Sequence, residues 1–111
     1  MQESYNNKKG GIMDYKLITR HFDASKELQN QIDKKMEKMV KFDKWINHLD
    51  IIINGEGDRK STEINAFLEH KQINAKVEGM DAYNTFAKAF LKIERQIKEF
   101  ESRVTDHHGY R

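Results

Sequence analysis

Residues 75–103 read AKVEGMDAYNTFAKAFLKIERQIKEFESR, and this stretch decides how the rest of the chain must be arranged. It predicts the end of a strand, a tight Glu-Gly turn and a long amphipathic helix, because apolar residues recur there at three- and four-residue steps. Gly79 permits a sharp turn, and Asp81 is placed to cap the first free amides of the helix. The apolar stripe consists of Tyr83, Phe86, Ala87, Phe90, Ile93, Ile97, Phe100 and Val104.

A basic row lies on the same helix, away from the apolar stripe. Its members are Lys88, Lys92, Arg95 and Arg103, and Glu99 interrupts them. Spacing alone leaves two interpretations open. The row is either a solvated face with i,i+4 support from pairs such as Glu94 with Lys98, or half of a cationic surface that binds folded RNA.

The preceding segments supply the remaining elements of the predicted fold. Residues 15–20 read as a short strand, and Ser25 is the expected cap of a helix that ends near Phe42. That helix has its own apolar stripe, beside a basic row that includes Lys34, Lys38 and Lys41. Residues 48–54, 62–69 and 72–78 then read as three strands.

The order strand, helix, strand, strand, strand, helix predicts an α+β fold. A four-stranded sheet with both helices on one face buries every apolar stripe in the sequence. The expected domain covers residues 13–104. Residues 1–12 are expected to be a flexible leader and residues 105–111 a frayed tail, because neither segment shows apolar periodicity.

Composition limits the class of protein. The 111 residues fit one domain, and the absence of Cys excludes disulfides and thiolate metal sites. No apolar run approaches the ~20 residues of a membrane span, so the expected compartment is the cytoplasm and no membrane contact is predicted. Twenty Lys and Arg against eighteen Asp and Glu leave a net charge of only +2. An RNA-binding role therefore requires that the charges be segregated by face.

No catalytic or cofactor-binding pattern is present. The five His residues have no metal-ligand spacing, and no Ser, Thr or Lys lies in a nucleophile motif. Gly55 and Gly57 form a Gly-x-Gly that lacks the rest of a nucleotide fingerprint. Phe67 is expected to point outward from the open sheet face, but its acidic neighbours disfavour base stacking. We therefore expect a non-enzyme with no metal, no cofactor and no small-molecule substrate.

The sequence resembles the ribosome hibernation factor family, the short hibernation-promoting and ribosome-associated inhibitor proteins. The likeness covers residues 13–103 and keeps the order of strands and helices. Its most specific part is an EGxDxY turn followed at a fixed distance by KxxRQ. The residues that carry it are Ile18, Thr19, Lys35, Lys38, Ile46, Asn47, Glu78, Gly79, Asp81, Tyr83, Lys92, Arg95 and Gln96.

The resemblance implies both a fold and a function. Members fold as β-α-β-β-β-α, similar to double-stranded RNA-binding domains. They bind the small ribosomal subunit in the channel used by messenger and transfer RNA, block translation, and protect idle ribosomes in stationary phase or starvation. By position, contact with ribosomal RNA falls on Lys35, Lys38, Lys92 and Arg95, and Lys88 and Arg103 join them by lying in the same sector.

The acidic residues of the two helices depart from a simple match to that role. Acidic residues such as Asp33, Glu37 and Glu99 lower the field of the helical faces. The sequence also leaves open whether the protein promotes ribosome pairing with a helper or only stalls single ribosomes. The alternatives to a ribosomal role are a protein-interaction regulatory domain and a generic module for structured RNA.

Overall fold

The sheet of this protein has five strands. The structure is a computed structural model that describes residues 3–8 and 14–109, with side chains described for residues 14–105. Its strands are β1 (Glu3–Lys8), β2 (Tyr15–Arg20), β3 (Ile46–Glu56), β4 (Arg59–Leu68) and β5 (Gln72–Gly79). They lie side by side in chain order, and only β2 and β3 are parallel.

Two helices cover one face of this sheet. Helix α1 (Lys26–Lys38) continues into a 3₁₀ turn (Met39–Phe42) and connects β2 to β3, and helix α2 (Ala82–Gly109) follows β5. Strand residues alternate between buried and partly exposed, as expected when one face is packed and the other is open. The inward side chains of the strands and the apolar stripes of both helices form one core. From β2 onward, the predicted β-α-β-β-β-α order and the two helices on one face are confirmed.

Strand β1 lies in the stretch expected to be a flexible leader. Residues 3–8 pair antiparallel with β2, from Glu3 opposite Arg20 to Lys8 opposite Tyr15. Backbone pairing needs no apolar periodicity, so the polar sequence ESYNNK gave no sign of it. The added strand covers the backbone groups that β2 would otherwise present at a sheet edge. The rest of the expected leader, residues 1, 2 and 9–12, lies outside the described residues.

Helix α2 is longer than the sequence predicted. It continues to Gly109, through most of the segment expected to fray. Thr105 donates its hydroxyl to the carbonyl of Glu101 one turn earlier, and the backbone of this last part keeps helical geometry without an apolar stripe. Residues 110 and 111 lie outside the described part of the chain.

The Gly-x-Gly of the β3–β4 hairpin has a structural explanation. Gly57 has φ 60°, the left-handed conformation that tight hairpin turns require. A Cβ on Gly55 would lie 2.6 Å from the carbonyl oxygen of His21, so only glycine fits where β3 passes the β2–α1 connection. Both glycines therefore serve chain packing and turn geometry.

No helix in the described residues combines the length and the apolar character needed to cross a membrane.

Candidate nucleic-acid interface

The orientation of α2 follows from its first turn and its apolar stripe. The carboxylate of Asp81 accepts a hydrogen bond from the backbone amide of Asn84 (3.3 Å), which confirms the predicted cap. The side chains of Phe86, Phe90 and Ile93 are buried against the sheet. The four residues of α2 that the sequence predicted to bind RNA are consequently exposed, and so is Lys98: the four are Lys88, Lys92, Arg95 and Arg103.

Helix α1 is fixed in the same way. The hydroxyl of Ser25 accepts a hydrogen bond from the amide of Leu28 (3.0 Å), and Ile32 and Met36 are buried along the helix. Lys38 is exposed in the last turn, and Lys35 is only half-buried. The basic face of α1 is therefore turned away from the sheet, as the sequence predicted.

Lys35 lies where the two helices adjoin. Its Nζ atom is 5.5 Å from the centre of the Phe90 ring of α2, which is a cation–π distance. The side chain thus contributes to helix packing while its charge stays near the surface. Among the six predicted RNA-binding residues, Lys35 links the basic face of α1 directly to α2.

The other five residues are spread along the helices. Lys88, Lys92 and Arg95 lie within two turns of α2. Arg103 is eight residues beyond Arg95, which corresponds to about 12 Å along the helix axis. Arg103 therefore lies apart from the other basic residues of α2, and Lys88, Lys92 and Arg95 form the closer group.

The six predicted cations are not neutralised by neighbouring carboxylates. In residues 14–105, Lys98 pairs with Glu94 (4.0 Å) and Arg59 with Glu78 (3.9 Å), but none of the six forms an ion pair. The predicted i,i+4 pair of Glu94 and Lys98 is thereby confirmed. The carboxylate of Asp33 accepts a hydrogen bond from the hydroxyl of Tyr15, a neutral donor that does not offset the carboxylate's field.

Each helix also carries a shallow depression on its outer face. The depression on α1 has a volume of about 490 Å³ and that on α2 about 380 Å³. The first is lined by Glu27, Asn30, Gln31, Lys34, Lys35 and Lys38. The second is lined by Leu91, Glu94, Arg95, Lys98, Glu99 and Ser102. The three lysines of the α1 depression outnumber Glu27 and favour a negatively charged ligand, whereas the α2 depression holds two basic and two acidic side chains.

Leu91 is a feature of the outer face of α2 that the apolar and basic patterns of the sequence do not include. This side chain is 55% exposed and lies among the basic residues of α2. Its position is not part of the apolar stripe, since it comes three residues after Lys88 and four before Arg95. A large apolar residue at a position that the helical period assigns to solvent was the signal that could have found it.

The open face of the sheet is built differently from the helical faces. The ring of Phe67 is half-buried and lies 5.9 Å from that of His48. His48 in turn contacts the carboxylates of Asp50 (2.7 Å) and Asp14 (3.5 Å). Carboxylates next to the aromatic side chain repel phosphates, so this geometry favours the helices over the sheet as a surface for nucleic acid.

Much of the EGxDxY and KxxRQ pattern maintains the fold. Asp81 caps α2, and a Cβ on Gly79 would lie 3.1 Å from the Thr85 methyl group, so glycine allows β5 and α2 to approach closely. Gly79 has no positive φ, and its importance therefore lies in this approach rather than in the sharp turn expected. Gln96 donates from Nε2 to the backbone oxygen of Asn74 on β5 (3.0 Å), whereas Lys92 and Arg95 remain exposed.

Comparison with known proteins gives a consistent result. A family model described as sigma 54 modulation protein / S30EA ribosomal protein matches residues 15–105. A ribosomal subunit interface protein from Coxiella burnetii has a similar structure, with a TM-score of 0.70 and 25% sequence identity, over 79% of this chain and 97% of that one.

The N-terminal domain of Protein Y from Thermus thermophilus shares the fold as well. Its TM-score is 0.64 at 20% identity, over 80% of this chain and 98% of that one. Comparison with curated protein sequences gives no match. Because the family model spans nearly the whole of the helix-covered sheet, from β2 to the end of the described side chains, the chain belongs to the sigma 54 modulation / S30EA ribosomal protein family, the ribosome-associated hibernation factors.

Proposed function

We propose that this protein is a translation inhibitor and hibernation factor that occupies the messenger and transfer RNA channel of the small ribosomal subunit. In this proposal it acts in the cytoplasm, in stationary phase or under stress, and binds ribosomal RNA through the outer faces of α1 and α2. The observation that carries the proposal is the set of six cations on two adjoining helices, none of which forms an ion pair within residues 14–105.

Cations that form no ion pair within residues 14–105 suit phosphate recognition. Lysine and arginine that neutralise phosphates release counterions, and this release favours binding at low salt. The guanidinium of Arg95 can hold one phosphate with two hydrogen bonds, whereas Lys88 and Lys92 act as point charges. Such contacts follow the shape of folded RNA without reading its sequence.

The net charge of only +2 requires that basic and acidic residues be distributed unequally over the surface if the protein is to bind RNA. Asp14 and Asp50 contact His48 on the open face of the sheet, whereas Asp33, Glu94 and Glu99 are carried by the helices. A partner at the helices would therefore lie farther from Asp14 and Asp50 than from the basic residues, so the net charge understates its attraction to these faces.

The experiment that tests the proposal is co-sedimentation with separated small and large ribosomal subunits at low and moderate salt. We expect binding to the small subunit that weakens as salt rises. Lys92→Glu combined with Arg95→Glu should abolish this binding and leave the fold intact, because both side chains lie off the apolar stripe.

A matched control reverses two charges elsewhere. Lys71 and Lys76 are exposed on the β4–β5 turn and on β5, away from the helices, so Lys71→Glu with Lys76→Glu changes the net charge equally. The control should bind as the wild type does. If the helical double variant also binds normally, the helical faces are not the contact surface.

Two further outcomes would identify the other functions considered. Displacement of the protein from subunits by short duplex RNA would indicate a generic binder of structured RNA. Absence of binding to either subunit by the folded protein would limit the family relationship to the fold and direct attention to a protein partner.

A further inference from the structure

Leu91 is exposed in the middle of the cationic face of α2. Its side chain is 55% exposed, whereas Phe90 and Ile93 on either side of it in sequence are buried. In the described residues, the only other large hydrophobic side chain of comparable exposure is Met80, at 64%, in the β5–α2 turn. An apolar side chain that the fold leaves in water gains free energy when a partner covers it.

The surroundings of Leu91 indicate the chemistry of that partner. Lys88 precedes it by three residues and Arg95 follows it by four, so both are its neighbours on the helix surface. Leu91 and Arg95 line the same depression of about 380 Å³, together with the paired Glu94 and Lys98 and with Glu99 and Ser102. An apolar side chain therefore lies beside Lys88 and Arg95, which form no ion pair within residues 14–105, while its acidic neighbour Glu94 is paired with Lys98.

We propose that Leu91 packs against the ribose or base face of a ribosomal RNA nucleotide whose neighbouring phosphates are bound by Lys88, Lys92 and Arg95. The inference rests on the proposed function and adds an apolar contact to it. Charge complementarity favours RNA over a protein partner, because these three cations form no ion pair within residues 14–105. A nucleotide offers an apolar face and phosphates within one residue, which fits this arrangement.

The test compares how two substitutions change the salt dependence of binding to purified small subunits. Leu91→Ala should weaken binding about tenfold at every salt concentration, equivalent to about 1.4 kcal/mol. The slope of log K against log salt should not change, because an apolar contact releases no counterions. Lys92→Ala should instead lower the slope by about 0.7–0.9, the value expected for one lost phosphate contact.

Two variants control for general effects. Leu91→Met keeps an apolar side chain of similar size and should retain binding. Met80→Ala removes the other exposed hydrophobic side chain and should bind as the wild type does. Alanine is the best helix former, so Leu91→Ala is expected to leave α2 folded, and a circular dichroism melt verifies this directly.

The outcomes separate this inference from the proposed function. If Leu91→Ala binds the small subunit with the same affinity as the wild type, the role of Leu91 is overturned while the proposed function stands. The same conclusion follows if Met80→Ala loses as much affinity as Leu91→Ala. A photo-reactive phenylalanine derivative in place of Leu91 should cross-link to ribosomal RNA, whereas cross-linking to a ribosomal protein only would overturn the choice of RNA. Failure of the wild type to bind either subunit would overturn the proposed function itself.

Discussion

The hydroxyl of Tyr83 in the first turn of α2 lies 2.9 Å from the hydroxyl of Ser25, the residue that caps α1. The same Ser25 oxygen accepts a hydrogen bond from the backbone amide of Leu28. One side chain therefore caps α1 and also contacts α2. The two helices that carry the cationic surface are thus connected at their N-terminal ends. The tyrosine of the EGxDxY pattern consequently helps to fix the position of α2 relative to α1.

The Ser25–Tyr83 contact should be measurable as a modest coupling. Tyr83→Phe removes only the hydroxyl and should lower the free energy of unfolding by about 0.5–1 kcal/mol, because the contact is solvent-accessible. Ser25→Ala should cost more, about 1–2 kcal/mol, since it also removes the cap. Urea denaturation of both single variants and the double variant gives the coupling energy. Equal costs for the two single variants would contradict the dual role of Ser25.

Gly79 should be intolerant of even one added carbon. In Gly79→Ala the new Cβ would approach the Thr85 methyl group to 3.1 Å, so we expect a loss of about 1–3 kcal/mol in the free energy of unfolding. Adding Thr85→Ser should recover part of this loss, because serine keeps the hydroxyl that bonds to Thr62 (2.8 Å) but lacks the methyl group. Thermal or urea unfolding of the two single variants and the double variant checks this. Strictly additive losses would show that the clash lies elsewhere.

Removal of residues 1–12 should lower the stability of the fold. The lack of apolar periodicity predicted a flexible leader here, but β1 pairs with β2 along six residues. Without β1, the backbone groups of β2 become an open edge that invites self-association. We expect a lower unfolding midpoint and a concentration-dependent rise in apparent mass in sedimentation velocity. Binding to the small subunit should persist at low concentration, because both cationic helices remain.

Tyr15 should make the stability of the protein fall in alkaline solution. Burial, with a further contribution from the hydrogen bond and the charge of Asp33, raises the pKa of Tyr15 above its ordinary value. The corresponding stability is fully present below the unfolded pKa of about 10 and is lost as the pH rises beyond it, since unfolded Tyr15 then ionises while the folded residue does not.

Urea denaturation at pH 8 and pH 11 measures this effect. Tyr15→Phe provides the control, because it removes the titrating hydroxyl while keeping the ring. The variant should lose less stability between the two pH values than the wild type does. An equal loss in both proteins would assign the alkaline effect to other groups.

The main helices and strands could be predicted because each has a local signal. The apolar stripe of α2, the Ser25 and Asp81 caps and the alternation of residues in β4 all follow from periodicity and from short-range hydrogen bonding. The exposure of Lys38, Lys88, Lys92, Arg95 and Arg103 follows from the same periodicity. Their role in RNA binding remains a prediction.

Three features could not be predicted because they depend on residues far apart in the chain. Strand β1 is defined only by its pairing with β2, and its sequence carries no pattern of its own. Gly55 is required by the carbonyl of His21, which lies 34 positions earlier in the sequence. The C-terminal half of α2 is attached to the start of β3 by the hydrogen bond from Trp45 to Glu101 (3.1 Å).

The spacing of residues in the sequence specifies which faces of the two helices are apolar and which are basic, because side chains recur with the period of the helix. Only the packed fold specifies which of the charged side chains form contacts within the protein and which do not. It placed Lys35 over Phe90 and engaged Asp33 with Tyr15, while Lys92 and Arg95 were left without ion pairs in the described residues. Ion pairs and cation–π contacts act over a few ångströms, so only packing of the helices on the sheet could select them.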